Sequence, residues 1–533
     1  MPCLLVHSAL GTHRVHVTDG QSVRDALDTT DLRVRAACGG SGTCAACVVR
    51  LVGGEVTSPT VAEYMKLAVD DRAAGTRLAC QMRLKGDAEI VLDQPAPPSP
   101  WKSIPAENLT VRAAAQPDLD EHIYGVAVDL GTTNIRVALW DRRSGKRIAT
   151  RYGANPQDAF GADVLNRIEA VRGRPERAGE LAGLARHAIV HAVRDILARD
   201  IGEVTPMLAE IGRMVIVGNT AMLALLTGRG SAALIDPAHW QSRIDCRPVD
   251  VAAWQGEWAM PHADIVLPEP VAGFVGSDLV ADLLATGLTE GVAGALLIDV
   301  GTNSEIALWD GRVLHVTSVP GGPAFEGVGT RHGMPAGPGA ICGVRCRGAD
   351  VVCEVIGGGD ARGFCGSGLV DAVAVLLACG TLKPSGRFAV SPGADGLALD
   401  PANPRTAITG VDIDAFQRAK AATAAAMAHL LCLAGMTWSD LRRLCVCGAF
   451  GRTLDIGHAQ SVGLLPPITP SLIELHADAS LAGCEQILLS PNGKVRFVAV
   501  NACVEACNLS LVPGYEERYI DHLRLRPITS SAP

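Results

Sequence analysis

Two stretches of this chain, about 170 residues apart, repeat one pattern, and no other feature restricts its folds as tightly. IYGVAVDLGTTNIRVALWD (123–141) and ALLIDVGTNSEIALWDG (295–311) each read as an apolar strand, an Asp, a Gly-Thr turn and a second alternating strand. Setting Asp129 against Asp299 brings the Asp, Gly and Thr into register, so one α/β unit is present twice. A strand that ends in Asp and turns through Gly-Thr offers backbone N–H and hydroxyl groups to an anion. Its carboxylate suits a hydrated Mg²⁺ or a water to be oriented. One such turn occurs in plain hairpins; two in register point to a paired grip on phosphates. The candidate phosphate-binding residues are Gly131, Thr132, Thr133 and Asn134 in the first copy and Gly301, Thr302 and Asn303 in the second, with Asp129 and Asp299 as candidate catalytic carboxylates.

These turns resemble the two phosphate loops of the actin, sugar kinase and Hsp70 (ASKHA) superfamily. The resemblance implies a duplicated RNase H-like α/β ATPase that binds ATP and Mg²⁺. It also implies a third, adenosine-binding element, for which CGAFGRTLDIGHAQSVGLLP (447–466) is the candidate, with Gly448 and Gly451 allowing close approach. Glu326, in GGPAFEG (321–327), is read either as a nucleotide or Mg²⁺ contact or as a loop-stapling hydrogen bond. In VGNTAML (217–223), Asn219 either meets phosphate or caps a helix. ARGFCGSGLVDAVAVLL (361–377) opens a helix whose N-terminus could face a nucleotide or a dimer partner.

The second chemical signal is CGGSGTCAACVV (38–49). Cys38, Cys44 and Cys47 are spaced by five and two residues, and Cys80 follows downstream. Soft thiolates in fours select zinc or an iron–sulfur cluster. Structural zinc sites usually pair two short Cys-x-x-Cys units, whereas three-plus-one is the grouping of plant-type ferredoxins. Gly39, Gly40 and Gly42 would let the loop wrap closely around a cluster. A thioredoxin-like Cys44/Cys47 pair would leave Cys38 and Cys80 without a role. Residues 1–93, with strands expected at 3–7, 13–17, 47–52 and 88–92 and a short helix at 22–28, resemble a ferredoxin-like (β-grasp) α+β domain carrying a [2Fe–2S] cluster.

At 533 residues the chain exceeds one hydrophobic core. Five prolines in DQPAPPSPWKSIP forbid a helix or an inner strand. Residues 94–121 are thus expected to be an extended linker that leaves domain one tethered but mobile, followed by a middle domain at 122–206 and an ATPase domain at 207–527. A net charge of −9 argues against general nucleic-acid binding. No apolar run is long enough for a transmembrane helix, and the N-terminus lacks a signal peptide's apolar core. The expected location is the cytoplasm, where the 17 cysteines are thiols or metal ligands. Cys342-x3-Cys346 and Cys503-x3-Cys507 read as unpaired thiols.

A ferredoxin domain, a Pro-rich linker and a duplicated ATPase together resemble the reductive activators of corrinoid proteins. The resemblance rests also on NPQDAFGADVLNRI (155–168), GFCGSGLVD and GAFGRTLD. It implies ATP-dependent reduction of an inactive Co(II) corrinoid protein to Co(I), serving a methyltransferase system. Electrons would come from a reductase or ferredoxin through the [2Fe–2S] cluster, and the protein would work as a homodimer. A plant-type cluster sits near about −400 mV and the cobalt couple lower, so the transfer needs the nucleotide site to drive it. Two departures are noted: the chain is shorter than family members that pass six hundred residues, and DASLAGCEQILLS (478–490) lacks the Gly-Asn-type turn of relatives. The same features also suit an ATP-dependent activator of another low-potential or radical enzyme, or a redox-sensing nucleotide-binding module.

Overall fold

The computed structural model describes residues 2–9, 11–104, 122–199, 202–347, 350–448, 450 and 453–529. The expected linker is therefore described only as far as residue 104, and Gly451 lies outside the described residues. Two compact units result. One comprises Met1–Ile235, Asp245–Glu269 and Cys484–Lys494, and the other Asp236–Ile244, Pro270–Gly483 and Val495–Pro533.

The first unit begins with a β-grasp sheet of order β2-β1-β5-β3-β4, formed by β1 (Cys3–Ser8), β2 (Gly11–His16), β3 (Val48–Val56), β4 (Thr76–Leu78) and β5 (Leu84–Leu92). β1 lies antiparallel to β2 and parallel to β5, so the sheet's middle is made by the two ends of the domain. Alternation places Leu4, Val6, Ile90 and Leu92 in a core shared with Val23, Ala26 and Leu27 of helix α1 (Val23–Leu27). Ser22 caps α1 by accepting from the Asp25 amide.

A second sheet in this unit has order β8-β7-β6-β9-β10, from β6 (Tyr124–Leu130), β7 (Asn134–Asp141), β8 (Lys146–Ala154), β9 (Ile211–Gly218) and β10 (Asp264–Val266). The first three strands form an antiparallel meander, and β9 and β10 add in parallel on the other side of β6. Helix α2 (Pro175–Leu197) buries Leu181, Ala185, Ile189, Ala192 and Ile196, a stripe at helical spacing. Helix α3 (Thr220–Thr227) follows β9.

The second unit repeats that topology. Its sheet, of order β16-β15-β11-β12-β13-β17, contains β11 (Ala295–Val300), β12 (Ser304–Trp309), β13 (Leu314–Val319), β15 (Arg443–Gly448), β16 (Ile473–Leu475) and β17 (Val504–Ala506); β14 (Ala340–Arg347) belongs to a separate three-stranded sheet. Again an antiparallel meander is flanked by two parallel strands, here β15 and β16, while β17 extends the far edge. Helices α4 (Ser277–Thr286), α5 (Gly366–Ala378) and α6 (Gly410–Leu433) belong to this unit, α6 being opened by a Thr409–Asp412 capping box. The fold is thus a ferredoxin domain followed by a duplicated α/β body of the RNase H-like kind.

The ferredoxin domain is packed against the middle sheet's helix, in contrast to the mobile tether expected. Pro95–Ala96 pairs with Arg33–Val34, and Lys102 exchanges backbone hydrogen bonds with Tyr152. Trp101, buried, donates its indole N–H to His191 on α2 at 2.9 Å. Prolines exclude a helix here, but they leave carbonyls and the intervening amides free to pair on either side.

Candidate functional site

The cysteine loop is shaped by left-handed backbone. Gly39, Gly40 and Gly42 have φ of 61°, 98° and 82°, and Ala45 has 53°. A Cβ on Gly40 would stand 2.8 Å from Arg24 Nη1 and 3.9 Å from Cys80 Cβ, so this cradle admits only glycine. Cys38, Cys47 and Cys80 are buried and Cys44 is half-buried. The sulfurs associate in twos. A hydrogen bond from Cys44 pulls the Cys38 thiol down to about 3 and pushes that of Cys44 up. A hydrogen bond with Cys80 likewise lowers Cys47 and raises Cys80. The Ala46 amide donates to Cys44 Sγ at 3.4 Å, as does Gln81 Nε2 to Cys80 Sγ. Four cysteines associated in twos, with N–H donors aimed at the Cys44 and Cys80 sulfurs, fit a two-iron cluster.

In the middle sheet, Asp129 ends its run on β6 and receives Arg136 Nη1 at 3.1 Å from the neighbouring β7. The Gly131 amide closes the turn on Asn134 O at 3.0 Å. Asn219 Nδ2 donates to Thr132 Oγ1 at 3.0 Å, while its Oδ1 accepts from the Met222 amide and caps α3. Both readings of Asn219 thus meet in one side chain that ties the turn to a helix start.

The Asn-Pro-Gln motif acquires its physical account here. Asn155, fully buried, donates through Nδ2 to Gly131 O (2.9 Å) and through its amide to Thr133 O (2.8 Å). Its Oδ1 accepts from the Gln157 amide at 3.0 Å, and Gln157 Nε2 anchors on Leu181 O of α2 at 3.0 Å. The motif therefore fixes the first turn from beneath.

The second turn is closed by a similar hydrogen bond over a shorter span and has the opposite electrostatics. Gly301 N donates to Asn303 O at 3.0 Å, and Gly322 N to Thr302 O at 2.9 Å. The Thr302 hydroxyl donates to Glu326, so that carboxylate is stapled to the turn itself. Opposite Asp299 on β12 stands Glu305, where the first copy has Arg136. Asp282 and Asp278 on α4 complete a carboxylate cluster. Burial, then Asp299 and Asp278, push Asp282 well above the carboxylate range; burial, then Asp278 and Asp299, do the same to Glu305. Ser480 Oγ donates to Asp282 Oδ1 at 2.9 Å and Ser318 Oγ to Glu305 at 3.0 Å. This donor set fits a hard divalent cation, which would relieve the crowding of negative charge.

Gly448, at the end of β15, lies against Asp299: its φ is 75°, and a Cβ there would lie 2.2 Å from Asp299 Oδ1. Within the second unit, Asp299, Thr302, Glu326 and Gly448 are thus brought together. The glycines of GFCGSG instead serve packing, since a Cβ on Gly366 or Gly368 would strike Phe325 O at 2.1 Å or Ile341 O at 2.0 Å.

Asp278, Asp282 and Glu305 were not legible from the motifs. The second turn is one residue shorter than the first (Leu130 pairs with Ile135, Val300 with Ser304), so ungapped alignment sets Glu305 against Ile135 and hides the Arg136 exchange. Cys445, Glu474 and His476 also converge within 4.8 Å. There Glu474 is already engaged by Arg443 through two 2.7 Å bonds, and the guanidinium disfavours a cation. Among the described residues, no helix is long and apolar enough to cross a membrane.

Known proteins resemble the chain along its length. Residues 8–85 match the 2Fe-2S iron-sulfur cluster binding domain, residues 124–291 the RACo middle region, and residues 293–532 the C-terminal domain of RACo, the ASKHA domain. The chain is 31% identical over 435 residues to the corrinoid activation enzyme RamQ of Eubacterium limosum, covering 75% of this chain and 70% of the relative. It is 25% identical over 403 residues to the [Co(II) methylated amine-specific corrinoid protein] reductase of Methanosarcina barkeri, covering 69% and 70%. A solved structure of a reductive activator for corrinoid, iron-sulfur protein superposes with a TM-score of 0.66 at 25% identity, covering 99% of each chain.

Proposed function

The chain belongs to the family of reductive activators of corrinoid proteins, and on that premise we propose that it reduces the inactive Co(II) form of a corrinoid protein to Co(I) in an ATP-dependent reaction. The observation that carries this reading is the joining, in one chain, of a paired-thiol loop to a duplicated α/β body with an Asp-Gly-Thr turn in each copy.

Cys38, Cys44, Cys47 and Cys80 would hold a [2Fe–2S] cluster, which supplies one-electron chemistry at low potential when bound. Arg24, Gly40 and Gln81 shape its cradle. Each turn by itself offers amides and hydroxyls suited to phosphate oxygens, residues 131–134 in the first unit and 301–303 in the second. Asp299, with Glu305 opposite it and Asp282 interacting with it, would hold Mg²⁺, which supplies charge neutralisation when bound, or would orient the attacking water, and Glu326 fixes Thr302. Asp129, paired with Arg136, would position the first turn and is less suited to a cation than Asp299. The substrate is the corrinoid cobalt of a methyltransferase system. The electron comes from a reductase or ferredoxin in the cytoplasm, and family resemblance favours a homodimer.

The test mixes anaerobically purified protein, Mg²⁺–ATP, a low-potential reductant and a Co(II) corrinoid protein, and follows Co(I) absorbance. ATP-dependent Co(I) formation is expected. Its absence with several corrinoid partners overturns the proposal.

A further inference from the structure

The contact between ferredoxin domain and middle sheet is built from charge. Asp28 on the ferredoxin side accepts from Arg151 Nη2 at 2.8 Å and from both terminal nitrogens of Arg199. Asp195, near the end of α2, is held by Arg151 Nε at 2.6 Å and by Arg33. Arg24 donates to Ile196 O, and Arg199 Nε to Asp195 O. Across the same seam the Gly39 amide donates to Leu197 O at 2.8 Å, and the Arg199 amide to Ala36 O at 2.7 Å. The last carbonyls of α2 are therefore capped by the cysteine loop and by arginines.

All six charged side chains are buried. Four guanidiniums face two carboxylates, an excess of two positive charges, which the neighbouring Asp25 reduces to one. Arg24 reaches the cysteine loop: it interacts with Cys47 and Cys80, and its Nη1 stands against Gly40. A cluster that accepts an electron gains one negative charge beside this excess.

We propose that docking of the ferredoxin domain and the oxidation state of its cluster are thermodynamically linked through this network. The reduced cluster holds the docked arrangement more tightly, and release of the domain makes the same cluster a stronger reductant. The two effects are one coupling free energy, so each requires the other. The inference rests on the cluster reading of the four cysteines.

The test is an anaerobic redox titration of the full chain followed by visible absorbance. Arg24→Gln keeps a donor for Ile196 O and removes the charge. At a fixed poise its reduced-to-oxidised ratio falls about tenfold, or 59 mV for one electron, whereas Lys85→Gln, exposed on the same domain, leaves the ratio unchanged. A second measurement needs no variant: hydrogen exchange at the Gly39 and Arg199 amides is slower in dithionite-reduced than in oxidised protein. An unshifted titration in Arg24→Gln, or equal exchange in the two states, overturns the linkage. A colourless, iron-free protein overturns the cluster reading instead.

A separate observation assigns an oxidation site. Cys346 on β14 and Cys379, directly after α5, are both exposed, with their sulfurs 3.2 Å apart. We infer that they form a reversible disulfide by exchange with a low-molecular-weight disulfide such as oxidised glutathione: one S–S bond forms, one breaks, and two thiols leave on the glutathione. After brief exposure to oxidised glutathione and alkylation, peptide mass spectrometry is expected to find Cys346 joined to Cys379, with Cys432 and Cys503 unjoined, and Cys346→Ser to abolish the link. Glutathione carried separately on Cys346 and Cys379, with no linked peptide, overturns it.

Discussion

Gly448 is held at φ 75° with its pro-Cβ direction aimed at Asp299. Alanine there meets both backbone strain and a carboxylate oxygen, and φ > 0 alone makes the substitution destabilising. Gly448→Ala is expected to lower ATP turnover at least about tenfold, the scale of 1.4 kcal/mol, and to leave the visible absorbance of the ferredoxin domain intact; an ATPase assay alongside a spectrum checks it. Asn155→Ala strips the donor from Gly131 O in a buried setting, at a cost of about 1–3 kcal/mol. Denaturant unfolding should show that loss, and nucleotide titration should show weaker binding, because the turn loses its brace. Asp129 and Asp299 were legible as a pair. Their divergence was not, because it depends on cross-strand neighbours and on a one-residue difference in turn length.

At the scale of elements, α6 carries the most informative buried group. Lys420 is fully enclosed, donates to Arg524 O at 2.6 Å, and burial followed by Arg526 brings it down to about 7. The unfolded chain keeps that proton to about pH 10.4. Stability from this lysine is therefore complete above the unfolded value and lost as pH falls through 7. Lys420→Met should raise the melting temperature more at pH 6 than at pH 9, and thermal melts at the two values decide it. Pro175–Leu197 and Gly410–Leu433 are helices because long Ala/Leu-rich periodic runs bury one face wherever they pack. The paired cysteines at 342/346 lie on a strand and those at 503/507 flank one, a distinction that i, i+4 spacing cannot make.

At the scale of the whole molecule, the docked ferredoxin domain depends on Asp28. Burial raises this carboxyl, but Arg199, Arg151 and Arg24 together hold it well below the usual carboxylate range. Its contribution is present above the unfolded value of about 3.9 and lost as pH falls further. The urea midpoint of wild type is expected to be flat with respect to this group from pH 7 to 5 and to drop below about pH 4. In Asp28→Asn it should be lower already at pH 7, since a buried ion pair that loses one partner costs about 3–5 kcal/mol. Sequence by itself determined the ferredoxin loop, the duplication and the family, because these live in residue types at short fixed spacings: glycines where φ must be positive, thiols in a three-plus-one set, Asp-Gly-Thr at strand ends. Only the tertiary structure decided that Glu305 faces Asp299, that Asn155 braces Gly131, and that four arginines and two aspartates bind the first domain to α2. Those partners are strangers in sequence, up to 171 residues apart for Asp28 and Arg199, and buried charge has no local pattern; it is tolerated only where folding supplies the opposite charge.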